Sequence, residues 1–302
     1  MEQKKVIEMD KVNLWYNKGT GTEVHAIKDA TLSIKQGEYV AFFGPSGCGK
    51  TSMLYTISGI DRYENGRVLI NGVDTTERSN EEWAICRQTD IGIIFQQFNL
   101  IPSLTVLQNV TLPMTFLGRT FKESNEEGMK LLERLSLAPY AHRYPFELSG
   151  GQQQRVGIAR ALANNPPIII ADEPLGNLDS TSAKNVLAFL KELNEKDGRT
   201  IIMVTHEAWS LQDVGKIFYM QDGAVTGIEE QHETDLAESL SKKLYKQLAK
   251  TQTDNGVKNV WKVKPSIAAC CPAVLHKITA SRQRREDAIS THPIANVLCL
   301  TR

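Results

Sequence analysis

The chain has 302 residues, 41% of them apolar and 23% charged, enough to bury a full core in one or two domains. Basic and acidic residues number 35 each, but residues 241–302 hold twelve of the basic and three of the acidic ones. That leaves 23 basic against 32 acidic residues in 1–240, an acidic body that argues against nonspecific nucleic-acid binding as its main business. Five cysteines (Cys48, Cys86, Cys270, Cys271, Cys299) fit neither zinc-ligand spacing nor a disulfide framework and point to a reducing compartment. The opening Met1-Glu2-Gln3-Lys4-Lys5 has no signal-type apolar core, and the longest apolar stretches fall far short of the ~20 residues of a membrane span.

In chain order, residues 5–16, 26–34 and 39–43 read as strands, from alternation or short apolar runs broken by Gly19, Gly21 and Gly37. Directly behind the third strand comes Gly44-Pro45-Ser46-Gly47-Cys48-Gly49-Lys50-Thr51, followed by Ser52. This G-x-x-x-x-G-K-[ST] octet is a phosphate-binding loop: its glycines let successive N–H groups point at phosphates, and a helix over 50–58 adds its positive end. Lys50 is expected to reach the β- and γ-phosphates, and the Thr51 hydroxyl to ligate Mg²⁺. The pattern arises by chance in roughly one chain in a hundred of this length.

Residues 67–70 with the Asn71-Gly72 turn predict a hairpin. Ser79 with Glu82 predicts a capping box opening a helix to about Arg87. A buried strand is expected at 91–95, with helices at 123–135 and 152–162. Strands at 168–171 and 201–204 flank an amphipathic helix at 182–193 that stops at Gly198, and 217–220 with 224–228 form a closing hairpin.

Strands alternating with helices around a phosphate loop predict an α/β fold: a P-loop NTPase core with a mostly parallel sheet, a small antiparallel β subdomain and a helical insertion. Residues 1–230 form this body. From 231 to 302 lies a basic extension, expected to be helical over 236–248 and weakly ordered beyond 251. A solvated tail suits its charge, and so does attraction to anionic lipid headgroups.

The strand at 168–171 runs into Asp172-Glu173, two carboxylates with different projections. Asp172 suits outer-shell binding of Mg²⁺, and Glu173 suits a base that orients attacking water. Leu148-Ser149-Gly150-Gly151-Gln152 sits between the phosphate loop and this pair, where a hydroxyl, glycines and a helix start can face an anion.

With this pentapeptide in that place, residues 5–230 resemble the ATP-binding cassette (ABC) ATPases end to end. The resemblance implies ATP and Mg²⁺ as ligands, with Gly44 to Ser52 on the phosphates. It implies that Tyr16, beside Trp15, stacks on adenine. Gln96, beside Gln97, corresponds to the glutamine that senses Mg²⁺ and couples to a membrane subunit. Asp179 corresponds to the aspartate that communicates across a dimer, while also suiting an N-cap of the next helix. His206 corresponds to the histidine on the γ-phosphate. Catalysis then falls to Glu173, His206 and Gln96, and the metal to Thr51, Gln96 and Asp172.

The resemblance further implies two cassettes packed head to tail, as a homodimer or a paired cassette. Each ATP lies between Gly44–Thr51 of one chain and Ser149–Gln152 of the other. A separate polytopic permease is the expected partner, which places the chain on the cytoplasmic face of the membrane; no nucleic acid is expected. Ala171, Gly176, Phe95 to Pro102 and Asn109 to Pro113 resemble the macrolide-efflux, lipoprotein-release and cell-division group, implying export or mechanotransmission. An importer motor, or a soluble cassette ATPase acting on ribosomes or DNA, is the alternative. Leu175 stands where Thr is usual, Cys48 where Ser is common, and Thr51-Ser52 inverts the usual pair.

Overall fold

Two antiparallel strands of twelve residues each, β1 (Lys5–Tyr16) and β2 (Val24–Lys35), open the fold in the computed structural model, which describes residues 4–230. Then follow β3 (Tyr39–Phe43), α1 (Lys50–Ile57), β4 (Asn65–Ile70), β5 (Val73–Asp74), α2 (Asn80–Thr89) and β6 (Ile91–Ile94). The helices α3 (Val106–Phe116), α4 (Phe121–Arg134) and α5 (Gly150–Leu162) come next, before β7 (Ile168–Asp172), α6 (Ser180–Glu195) and β8 (Thr200–Thr205). The antiparallel pair β9 (Lys216–Gln221) and β10 (Ala224–Glu230) closes the series.

The central sheet has the order β10-β9-β3-β8-β7-β6, parallel throughout except where β10 meets β9. A second, antiparallel sheet runs β2-β1-β4-β5. Alternation along the central strands divides their side chains between two cores. Tyr39, Ala41, Ile169, Ala171, Ile201 and Met203 join the helices α3 to α6 on one side. Val40, Phe42, Ile168, Ile170, Ile202 and Val204 join α1, Trp83 and the antiparallel sheet on the other. A strand covered on both faces needs apolar residues at every position, which is why these three read as unbroken apolar runs.

The α/β architecture with its parallel sheet, antiparallel subdomain and helical insertion is as expected. Helix starts differ by a turn or less, for one reason. Glu123 and Gln152, expected as first helical residues, are third residues of capping boxes whose N-caps are Thr120 and Ser149. Helix α3 has no counterpart in the sequence reading. Pro113 sits inside it and disguises the helical period; Val106, Leu107, Val110 and Met114 hold it by burial, and the Thr105–Gln108 capping box starts it. The helix expected at 236–248 and the weak order expected beyond 251 lie outside the described residues.

Candidate nucleotide site

The loop between β3 and α1 is shaped by what cannot fit around it. A Cβ on Gly44 would stand 2.2 Å from the Met220 carbonyl oxygen, and one on Gly49 would stand 2.4 Å from that of Ala26. Gly49 also has φ +96°, in the left-handed region open to glycine. Pro45 and Ser46 carry the chain out to Gly47, where φ is +80° and nothing crowds the backbone. Gly223 donates its N–H to the Cys48 carbonyl at 3.0 Å, so the β9–β10 turn braces the loop.

Lys50 is 4% exposed and, among the described residues, has no carboxylate ion-pair partner. Its Nζ donates to the carbonyls of Gly44 at 3.0 Å and Pro45 at 2.8 Å, folding the charge back over the loop. A buried ammonium held by loop carbonyls and a weak 4.0 Å contact to the Cys48 sulfur fits a polyphosphate, whose oxygens offer stronger, charge-assisted bonds. Cys48, also 4% exposed, has its thiol pKa pushed up by burial, partly offset by the nearby Lys50 charge.

One residue into α1, Thr51 Oγ1 donates to Asp172 Oδ1 at 2.9 Å. Burial raises the Asp172 pKa, opposed by the bond from Thr51 and reinforced by the neighbouring Glu173 charge. Hydroxyl and carboxylate are hard oxygen donors, the type Mg²⁺ takes in small number alongside phosphate oxygens and water.

The next residue, Glu173, takes the left-handed backbone at φ +40°, a sparsely populated conformation for a side chain of its size. Its two carboxylate oxygens are engaged separately. Gln96 Nε2 donates to Oε2 at 3.0 Å, and His206 Nδ1 lies 3.1 Å from Oε1. The strand order puts the ends of β6, β7 and β8 side by side, so residues 77 and 33 positions from Glu173 meet on it. His206 keeps its other ring nitrogen available to a ligand.

Tyr16 donates its one hydroxyl proton to Asp61 and accepts from the Ser52 hydroxyl at 3.1 Å. Burial, then the Asp61 bond, pushes the Tyr16 pKa up to about 12. The adjacent Trp15 is taken up by His25, stacked at 4.0 Å, and by Lys18, whose Nζ is 4.2 Å from the ring centroid. Of the two aromatics, Tyr16 is the one tied to the phosphate loop.

The Ser149–Gln152 segment makes no hydrogen bond or ion pair to residues 44–52 among the described residues. It packs instead near Asn177, Ser182 and Phe98, with a Cβ on Gly151 falling 2.4 Å from Ser182 Oγ. Ser149 Oγ accepts from the Gln152 N–H at 3.4 Å and Gln152 Oε1 accepts from the Ser149 N–H at 2.9 Å. Among the described residues, that leaves the Ser149 hydroxyl proton and the N–H groups of Gly150 and Gly151 without an acceptor. Asp179 caps α6, accepting from the Thr181 and Ser182 N–H groups at 3.0 Å each, and the Ser182 bonds lower its pKa.

Sequence reasoning missed Asn177 and Arg160. Asn177 Nδ2 donates to the Gln96 carbonyl at 3.0 Å, and Arg160 donates to the carbonyls of Phe98 and Asn99. An Asn in a loop and an Arg on a helix carry no signal of such distant partners.

The family described as ABC transporter matches residues 27–176. An uncharacterized ABC transporter ATP-binding protein of Methanocaldococcus jannaschii, MJ0796, is 44% identical over 224 residues, covering 73% of this chain and 95% of that protein. The chain belongs to the ABC transporter ATP-binding cassettes. The cassette is also 41% identical over 220 residues to the macrolide export ATP-binding/permease protein MacB of Aggregatibacter actinomycetemcomitans, covering 73% of this chain but 34% of that one. In three dimensions it resembles the dimeric post-hydrolysis state of the MJ0796 cassette bound to ADP and Pi. The TM-score is 0.71 at 41% identity, over 75% of this chain and 99% of that one.

Proposed function

We propose that this cassette is the ATP-hydrolysing motor of a transporter, acting as a dimer that drives a separate membrane permease in export or mechanotransmission. The observation that carries the reading is the Glu173 carboxylate, held between the Gln96 amide and the His206 imidazole beside the Thr51–Asp172 pair. In this reading Lys50 and the loop N–H groups from Gly44 to Ser52 bind the ATP phosphates, Tyr16 receives the adenine, and Thr51, Asp172 and Gln96 hold Mg²⁺. Glu173 orients and deprotonates the attacking water, and His206 steadies the γ-phosphate.

The same geometry supports dimerisation. In this reading the Ser149 hydroxyl and the Gly150 and Gly151 N–H groups, which make no bond to their own phosphate loop among the described residues, are half of a site completed by a second chain. The dimeric post-hydrolysis MJ0796 structure bound to ADP and Pi supports a dimer and supports hydrolysis. Among the described residues no helix is long and apolar enough to cross a membrane, and in this reading a separate permease supplies the passage. Ile101, Phe116, Leu117 and Phe121, at the end of and beyond the Gln96 segment, are large exposed apolar side chains suited to a permease on the cytoplasmic face. The likeness to MacB supports export.

The test is Mg²⁺-dependent phosphate release by purified protein, together with affinity purification of tagged protein from gently solubilised native membranes. Turnover with a stoichiometric polytopic permease supports the motor. Ribosomes or DNA recovered in place of a permease would overturn it.

A further inference from the structure

We infer that Asn177 is a positioning residue for hydrolysis, holding the Gln96 segment so that the Gln96 amide stays on the Glu173 carboxylate; this rests on the motor reading above. The loop after β7 holds Gln96 by one hydrogen bond and passes close to its side chain. Asn177 Nδ2 donates to its backbone carbonyl at 3.0 Å, and a Cβ on Gly176 would stand 3.4 Å from its Nε2, so the loop also closes in on the side-chain amide. That amide makes the 3.0 Å bond to Glu173 Oε2.

The segment needs such a hold. Phe98 and Asn99, immediately after Gln96 and Gln97, both take left-handed backbone, at φ +60° and +47°. Arg160 on α5 secures the carbonyls of those two residues, whereas the Gln96 carbonyl is secured by Asn177. Without Asn177 the next side-chain anchor on the chain after Gln96 is Arg160, at the strained pair itself, and the Gln96 carbonyl is released. The amide then wanders from the base, and the Glu173 carboxylate loses one of its two orienting bonds. Asn177 itself is exposed and fills no core, so its worth lies in the bond and not in packing.

Steady-state ATP turnover of the full-length protein tests this with Asn177→Ala and the same-shaped, donor-free Asn177→Asp, each alone, and with Asn177→Ala added to Gln96→Ala. Both single variants are expected to lower kcat about tenfold, with KM for ATP within about twofold of wild type and an unchanged thermal midpoint. In the Gln96→Ala background, Asn177→Ala is expected to cost nothing further, because Asn177 acts through that amide. Unchanged kcat, independent multiplicative losses, or a fall in thermal midpoint that accounts for the lost activity would overturn the inference. Wild-type protein that binds Mg·ATP without turning it over would instead overturn the motor reading, a result separable from any effect of the variants.

Discussion

Thr51 and Asp172, 121 positions apart in sequence, are joined by a 2.9 Å hydrogen bond from hydroxyl to carboxylate. The bond ties the first turn of α1 to the end of β7 and brings together two oxygen donors that, in the proposed motor, would hold a divalent cation beside the phosphates. Asp172 is 4% exposed, and burial raises its pKa. Its native state therefore holds a proton more tightly than the unfolded chain does. Between the ordinary carboxylate pKa of about 4 and the raised native one, its contribution to stability falls as pH rises.

Asp172→Asn removes that penalty. Without nucleotide or metal, the variant is expected to melt about 2 °C above wild type at neutral pH, a difference that shrinks on acidification towards pH 4. Scanning calorimetry across pH checks this. Mg²⁺-dependent turnover in the same variant is expected to fall at least about 100-fold, because the ligand charge is gone.

Glu173→Gln keeps a side chain that still reaches Gln96 and His206 but cannot take a proton. Turnover is expected to fall by about 10² to 10³, with ATP binding retained and an ATP-dependent dimer that persists. Single-turnover phosphate release and size-exclusion chromatography with ATP measure the two halves. Near-normal turnover would remove Glu173 from the role of base.

Cys48 lies inside the phosphate loop with its thiol buried and its pKa raised. Alkylation at Cys48 is expected to run about 100-fold slower than at an unhindered thiol, to slow further with ATP bound, and to abolish nucleotide binding once complete. Peptide mass mapping separates it from the other four cysteines. Full modification with ATP affinity intact would sink the expectation.

Asn109 is fully buried in α3 and does the work of a backbone for the loop before it. Its carboxamide accepts from the Ile101 N–H at 2.8 Å and donates to the carbonyls of Ile101, Leu104 and Thr105 at 3.0 to 3.1 Å. Asn109→Ala leaves the Ile101 N–H and the Leu104 carbonyl without that partner, while the carbonyls of Ile101 and Thr105 keep backbone bonds from Leu104 and residue 109. The variant is expected to cost about 2–3 kcal/mol, read as a lower midpoint in urea unfolding.

The sequence by itself determined the parts and their order. An apolar run ending in Gly44 to Thr51, another ending in Asp172-Glu173 and the Ser149–Gln152 helix start are local patterns. Turn chemistry at Asn71-Gly72 and Asp222-Gly223, and double-sided burial of β3, β7 and β8, are equally local, so they are legible residue by residue. Helix α3 was not, because Pro113 argues locally against a helix that tertiary burial of Val110 and Met114 sustains. Only the tertiary structure decided which side chains meet: Glu173 with Gln96 and His206, Thr51 with Asp172, Asn177 with the Gln96 carbonyl. Those meetings depend on the order β3-β8-β7-β6 in the sheet and on loops packed across its edge. Periodicity sets which face of a strand is buried, but it carries no information about which strand lies next to which.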